Sequence, residues 1–140
     1  MSESQKEWLL MVDGASRGNP GAAGCGAVIL DENGAVVKEL SRYLDRTTNN
    51  VAEYEGLLMG LEVLLQSGAK KIVVKSDSQL LVRQLNGEYR VKDEKLKVLF
   101  ERAKSLLRQF ESCRIVHVRR EMNKLADRLA NRGIDDAAKQ

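Results

Sequence analysis

Trp8 to Val12 is an unbroken apolar run that stops at Asp13, the pattern of a central strand buried on both faces. The stretch from Asp13 to Gly21 that follows holds three glycines after Asp13 and the only proline, Pro20, and predicts a turn of defined path. Ala22 to Leu30 and Ala35 to Leu44 flank Asp31-Glu32-Asn33-Gly34, a hairpin signal between two further strands. From Val51 the period changes. Val51, Tyr54, Leu57, Leu58, Leu61, Leu64 and Leu65 recur at three and four, one face of a helix, with Thr48 to Asn50 as N-cap candidates and Gly68 as a stop. Lys71 to Val74 reads as a short β-branched strand ending at Ser76-Asp77. A helical stretch carrying Leu80, Leu81 and Leu85 then closes at Asn86-Gly87, and a longer helix is expected from about Asp93 to Phe110. Arg114 to Val118 is a fifth strand and Asn123 to Arg132 a closing helix. The order is βββαβααβα: an α/β chain, expected to form one domain over residues 1–140 with an ordered core from about 7 to 133.

A chain of 140 residues with 43% hydrophobic and 31% charged residues fits neither a disordered tail nor a membrane protein, and is long enough to bury a core without staples. No apolar run reaches 18 residues and no charged-then-apolar leader is visible, so neither a membrane span nor a secretion signal is expected and the cytoplasm is the default location. The net charge of +3 hides an asymmetry: residues 1–60 carry five basic and nine acidic side chains, residues 61–140 eighteen and eleven. A basic second half hints at a polyanionic partner. The single histidine, His117, excludes a multi-histidine zinc site, and Cys25 and Cys113, far apart in apolar strand-like stretches, read as buried thiols.

Four acids stand apart from the solvated charges. Asp13 ends the first strand, Asp77 the fourth, Glu53 lies in the first turn of the first helix, and Asp127 sits among Leu125, Ala126, Leu129 and Ala130. Sites in sheets with parallel strands form beyond the strands' carboxyl ends, where neighbouring strands bring Asp13 and Asp77 together. Carboxylates converging there require a counterion, and hard oxygen ligands suit Mg²⁺ or Mn²⁺. By position alone, turn, cap and solvated-helix roles fit the same residues equally well.

Four blocks of sequence decide between these readings. Val12 to Gly21 (VDGASRGNPG), Thr48 to Tyr54 (TNNVAEY), Ser76 to Gln79 (SDSQ) and His117 to Asp127 (HVRREMNKLAD) occur in the order and at the spacings of ribonuclease H of type 1, which the chain resembles over nearly its whole length. The resemblance implies a ribonuclease H-like fold, a five-stranded mixed sheet flanked by helices. It implies cleavage of the RNA strand of RNA·DNA hybrids to 5′-phosphate and 3′-hydroxyl ends, with Asp13, Glu53, Asp77 and Asp127 binding two ions of Mg²⁺ or Mn²⁺. Glu53 would also lie near the ribose 2′-hydroxyl, the group that separates RNA from DNA. Ser16, Asn19, Asn49, Asn50 and Gln79 would contact the substrate, and Arg46 and Thr48 correspond to positions that hold a DNA-strand phosphate in some members.

Two departures qualify the resemblance. Many members carry a catalytic histidine on a mobile loop before the last helix. This chain is short there, and His117 falls within a strand-like alternation, so Arg120 is the expected substitute, as in a short-loop branch reading HVPRE where this chain has Arg119 in place of proline. Neither the basic, Trp-bearing protrusion nor the separate N-terminal hybrid-binding module of some members is expected. Phosphate attraction then falls to dispersed cations such as Arg90, Lys92, Lys95 and Lys97, and affinity is expected to drop steeply with salt. The expected partner is an RNA·DNA hybrid bound by a monomer. Double-stranded RNA or RNA–DNA junctions, and an inactive hybrid-binding module, are the alternatives.

Overall fold

The computed structural model describes residues 6–139. The elements are β1 (Trp8–Gly18), β2 (Gly21–Leu30), β3 (Val36–Thr47), α1 (Asn49–Gln66), β4 (Lys71–Ser76), α2 (Gln79–Leu85), α3 (Glu94–Leu107), β5 (Ser112–His117) and α4 (Lys124–Ala138), with a 3₁₀ turn at Arg120–Met122 before α4. The five strands form one mixed sheet in the order β3-β2-β1-β4-β5. β1, β2 and β3 are antiparallel neighbours, while β4 runs parallel to both β1 and β5. Order and sheet agree with the sequence expectation. No helix among the described residues is long and apolar enough to cross a membrane.

β2 explains how the layers stack. Its alternate residues face opposite ways: Ala27 and Ile29 join the main core with Leu10, Val12 and the leucines of α1, whereas Val28 meets Ala126 and Leu129 of α4 on the other face. A strand covered on both sides has no use for polar side chains, which is why Gly21 to Leu30 contains none. The main core is supplied by α1, whose Leu57, Leu61 and Leu64 are fully buried, each contributing about 1.5–3 kcal/mol. α3 packs against α1 through Leu96, Leu99, Ala103 and Leu107. Thr48 caps α1, its hydroxyl accepting from the Val51 N–H at 3.3 Å, and Asp93 caps α3 by accepting from Leu96 N–H at 3.0 Å.

Four expectations are corrected. β1 does not stop at Asp13 but continues to Gly18, because Asp13 through Gly18 stay paired with Gly26 through Gly21 of β2; the ladder overrides the turn-forming composition. Glu53 lies just past the first turn of α1, whose first turn carries no acid. The closing helix runs to Ala138, beyond both Arg132 and the core limit of 133. A Cβ at Gly133 would lie 2.6 Å from the Arg42 carbonyl oxygen, so this glycine lets α4 pass close over β3, and the helix continues with Ile134 buried. Cys113 is exposed, since β5 is an edge strand with little cover; Cys25 is buried, and that burial pushes its thiol up to about 11.

Candidate active site

The parallel ladder between β1 and β4 ends at the pair Val12–Ser76, while β1 runs on beside β2. The sheet therefore has a step, and Asp13 and Asp77 follow its last two paired residues. Buried Ser76 shapes the exit of β4, its Oγ accepting from the Ser78 N–H at 3.0 Å. Above the step, Gly14 allows α1 to approach β1: a Cβ at Gly14 would lie 2.4 Å from both the Ala52 carbonyl carbon and the Glu53 nitrogen. Glu53 is thereby brought over Asp13. Carboxylate oxygens of Asp13, Glu53 and Asp77 lie within 4.8 Å of one another.

Asp127 enters from α4 and lines the same cavity of about 430 Å³, together with Ser16, Asn49, Ser78 and Arg120, but stands outside that close triad. Asn123 braces the two elements. It is fully buried, its side-chain amide N–H donates to the Val12 carbonyl at 2.8 Å, and its backbone carbonyl accepts from the Asp127 N–H at 3.1 Å. A side chain thus takes up the Val12 carbonyl at the end of the β1–β4 ladder. The sequence block containing Asn123 gives it no role; its spacing of four from Asp127 is the signal, since that places both on one helical face.

The electrostatics record the crowding. Burial, then the charges of Asp77 and Asp127, push Asp13 up to about 8, against a Gly14 N–H that donates to its Oδ1 at 2.9 Å. Burial and the charges of Asp13 and Asp77 hold Glu53 well above the ordinary carboxylate range. Asp77, less enclosed, is raised by burial and pulled back by Arg120, whose Nε lies 4.0 Å away, and by His117. Glu53 Oε1 is buried without a hydrogen-bond partner. An all-oxygen, anionic cluster with an unpartnered buried oxygen fits a hard divalent cation.

The remaining predicted residues fall around this centre. Asn19 Oδ1 accepts from the Asn49 N–H at 3.1 Å, so one Asn19 oxygen fixes the start of α1. Asn19, Arg46, Thr48 and Asn50 line a second hollow of about 390 Å³ with Asp93 and Lys95, two residues the sequence reading did not place there. Ser16 donates to the Thr47 carbonyl at 2.9 Å and also to Gly18. Gln79 and His117 share a smaller hollow with Arg83, and His117 is the exposed last residue of β5, the strand position expected for it. Arg120 sits in the 3₁₀ turn, 88% exposed, beside Asp77. Val118 continues from β5 by donating to the Ser76 carbonyl at 2.9 Å, so the segment holding His117 and Arg120 is tied to the strand that presents Asp77.

Comparison with known proteins follows the same lines. Residues 11–133 match the family described as "Reverse transcriptase-like". The chain is 43% identical over 125 residues to ribonuclease HI of Halobacterium salinarum, covering 89% of this chain and 63% of that protein. It is 32% identical over 151 residues to a ribonuclease H of Pseudomonas fluorescens, covering 97% and 95%. The solved structure of LC11-RNase H1 in complex with RNA/DNA hybrid superposes with a TM-score of 0.89 at 42% identity, covering 94% of this chain and 99% of that one. The chain belongs to the ribonuclease H family. It spans just under two thirds of the haloarchaeal protein and only 36% of the mycobacterial relatives it also matches.

Proposed function

We propose that this chain hydrolyses the RNA strand of RNA·DNA hybrids with Mg²⁺ or Mn²⁺, using two ions and leaving 5′-phosphate and 3′-hydroxyl ends. The observation that carries the reading is the close triad of Asp13, Glu53 and Asp77 at the step in the sheet, with Asp127 on the same cavity. Asp13, Glu53, Asp77 and Asp127 would hold the ions, which when bound would supply positive charge against the scissile phosphate and lower the pKa of a water. The chain's own residues do the rest. Asp13 and Asp77 are held by neighbouring strands, so the ligand spacing is set by the ladder and needs no rearrangement. Glu53, on the helix above, is placed to meet the 2′-hydroxyl beside the cut. Asn49 and Ser16 line the cavity where sugar edges pass, and Arg46 and Thr48 flank the hollow that takes a phosphate of the DNA strand. As the phosphorus–O3′ bond breaks, the departing oxygen takes a proton and the water oxygen stays on the 5′-phosphate.

The test is a labelled duplex panel. RNA·DNA is expected to be cut with Mg²⁺ or Mn²⁺ and left whole in EDTA, and DNA·DNA to resist throughout. Equal cutting of double-stranded RNA moves the reading to the broader substrate class, and binding without cutting under any divalent ion moves it to a hybrid-binding module.

Arg120 is proposed as the group that replaces the loop histidine. Its guanidinium, flexible, exposed and beside Asp77, can follow the released phosphate outward. Arg120→Ala is expected to lower turnover about 10-fold or more with little change in melting temperature, and His117→Ala to leave turnover within about twofold. The reverse pattern assigns the role to His117.

A further inference from the structure

α4 carries two polar stripes with different fates. Asp127, Asn131 and Asp135 repeat every four residues and are engaged: Arg17 of β1 bonds Asn131 at 3.2 Å and Asp135 at 2.8 Å, and Asn131 donates to the Asp127 carbonyl at 3.1 Å. Lys124, Arg128 and Arg132 repeat at the same spacing, all exposed, and no ion pair engages any of them among the described residues. They line a groove of about 1050 Å³, and this groove shares Arg120 and Asp127 with the carboxylate cavity. Two acids on its wall are already neutralised, Glu121 by Arg119 at 3.8 Å and Asp135 by Arg17. Glu39, Asp127 and Asp136 remain, against the cations Arg120, Lys124, Arg128, Arg132 and Lys139 on the same lining.

We infer that this groove is a track for the RNA strand beyond the cleavage point, in single-stranded form, held by phosphate contacts to Arg128 and Arg132. The inference rests on the hybrid-cleaving reading above. Continuity chooses the strand: whichever strand passes the carboxylates enters the groove, and that is the strand that is cut. Spacing fits the ligand, because residues four apart on a helix rise by about 6 Å, a step comparable to that between successive phosphates of an extended strand. Size sets the form. At about 1050 Å³ the groove holds a few nucleotides of one strand.

The experiment measures binding in an Asp13→Asn background, which holds substrate uncut. Three labelled hybrids are used: blunt, with an RNA 5′ extension, and with an RNA 3′ extension, each titrated by fluorescence anisotropy across a salt series. One extension is expected to tighten binding. Arg128→Gln/Arg132→Gln is expected to remove that gain and to reduce the slope of log affinity against log salt by about 1.4 on that hybrid alone, the value for two lost single-strand phosphate contacts. Arg128→Lys/Arg132→Lys is expected to restore most of the slope, and Arg102→Gln/Arg108→Gln, an equal charge loss at exposed Arg102 of α3 and Arg108 just past its end, to leave it unchanged. The proposal is overturned if neither extension tightens binding, if both respond alike, or if the α3 variant matches the α4 variant. Cleavage of the blunt hybrid by the unmutated chain is scored separately: a chain that cuts it yet ignores both extensions loses the track and keeps the activity, while one that neither binds nor cuts any hybrid loses both.

Discussion

Asp13→Asn is expected to lower hybrid cleavage by at least roughly 10²–10³-fold and, in the metal-free protein, to raise the melting temperature. The two effects share a cause. Asp13 is 5% exposed and crowded by Asp77 and Asp127, so without a cation its ionised form is disfavoured and its carboxyl stands at about 8. The folded chain keeps protons here that the unfolded chain has already released, and stability must therefore fall as pH rises. The fall begins above the ordinary Asp value of 3.8 and levels off once pH passes about 8. Near neutrality the penalty amounts to roughly a few kcal/mol, each worth about 3–4 °C in a domain of this size. Asparagine removes the Asp13 share of this titration and makes the profile shallower, the share of Glu53 and Asp77 remaining, while Mg²⁺, which favours the ionised site, stabilises the unmutated chain most at high pH. Thermal melts at pH 5, 7 and 9, in EDTA and in Mg²⁺, with and without the substitution, measure all of this. A variant that melts lower than its parent in EDTA at pH 8 contradicts the account.

Gly14→Ala is expected to damage fold and chemistry together. The added Cβ meets backbone, not a yielding side chain, at 2.4 Å, so α1 and β1 must separate. Over-packing of this kind costs about 1–3 kcal/mol or more, and a displacement near 1 Å at a reacting centre costs on the order of 10²-fold in rate. The displaced backbone is that of Glu53. The variant should accordingly need more Mg²⁺ for half-maximal cleavage than the parent, a readout that simple loss of folded protein does not move. Unchanged metal dependence with normal stability would show that the contact relaxes harmlessly.

How much of this was legible beforehand depended on whether a local pattern or a tertiary contact fixed each feature. α1 could be read from its leucines because burial of one helical face writes itself into the sequence at three and four. The run of β1 past Asp13 could not, because Gly14, Ser16 and Gly18 are poor strand residues and only pairing with β2 holds them extended. The run of α4 past Arg132 is hidden for a related reason: Gly133 serves a close pass over β3, a contact its local sequence does not record. The carboxylates were legible as motif members, yet their meeting depends on β1 and β4 being neighbours, which strand order alone decides. Asn123 was legible as a letter in a motif but not as a brace, since its partner is a backbone carbonyl 111 positions away.

The step in the sheet has one further consequence. β4 has six residues where its neighbour β1 has eleven. Lengthening it by one more ladder pair would add hydrogen bonds to the centre of the sheet and make the fold stiffer. It would also carry Asp77 inward and wall off the concavity in which the phosphate has to sit. The length of this strand is therefore a compromise, held short of its most stable value so that the middle of the sheet stays open to a substrate.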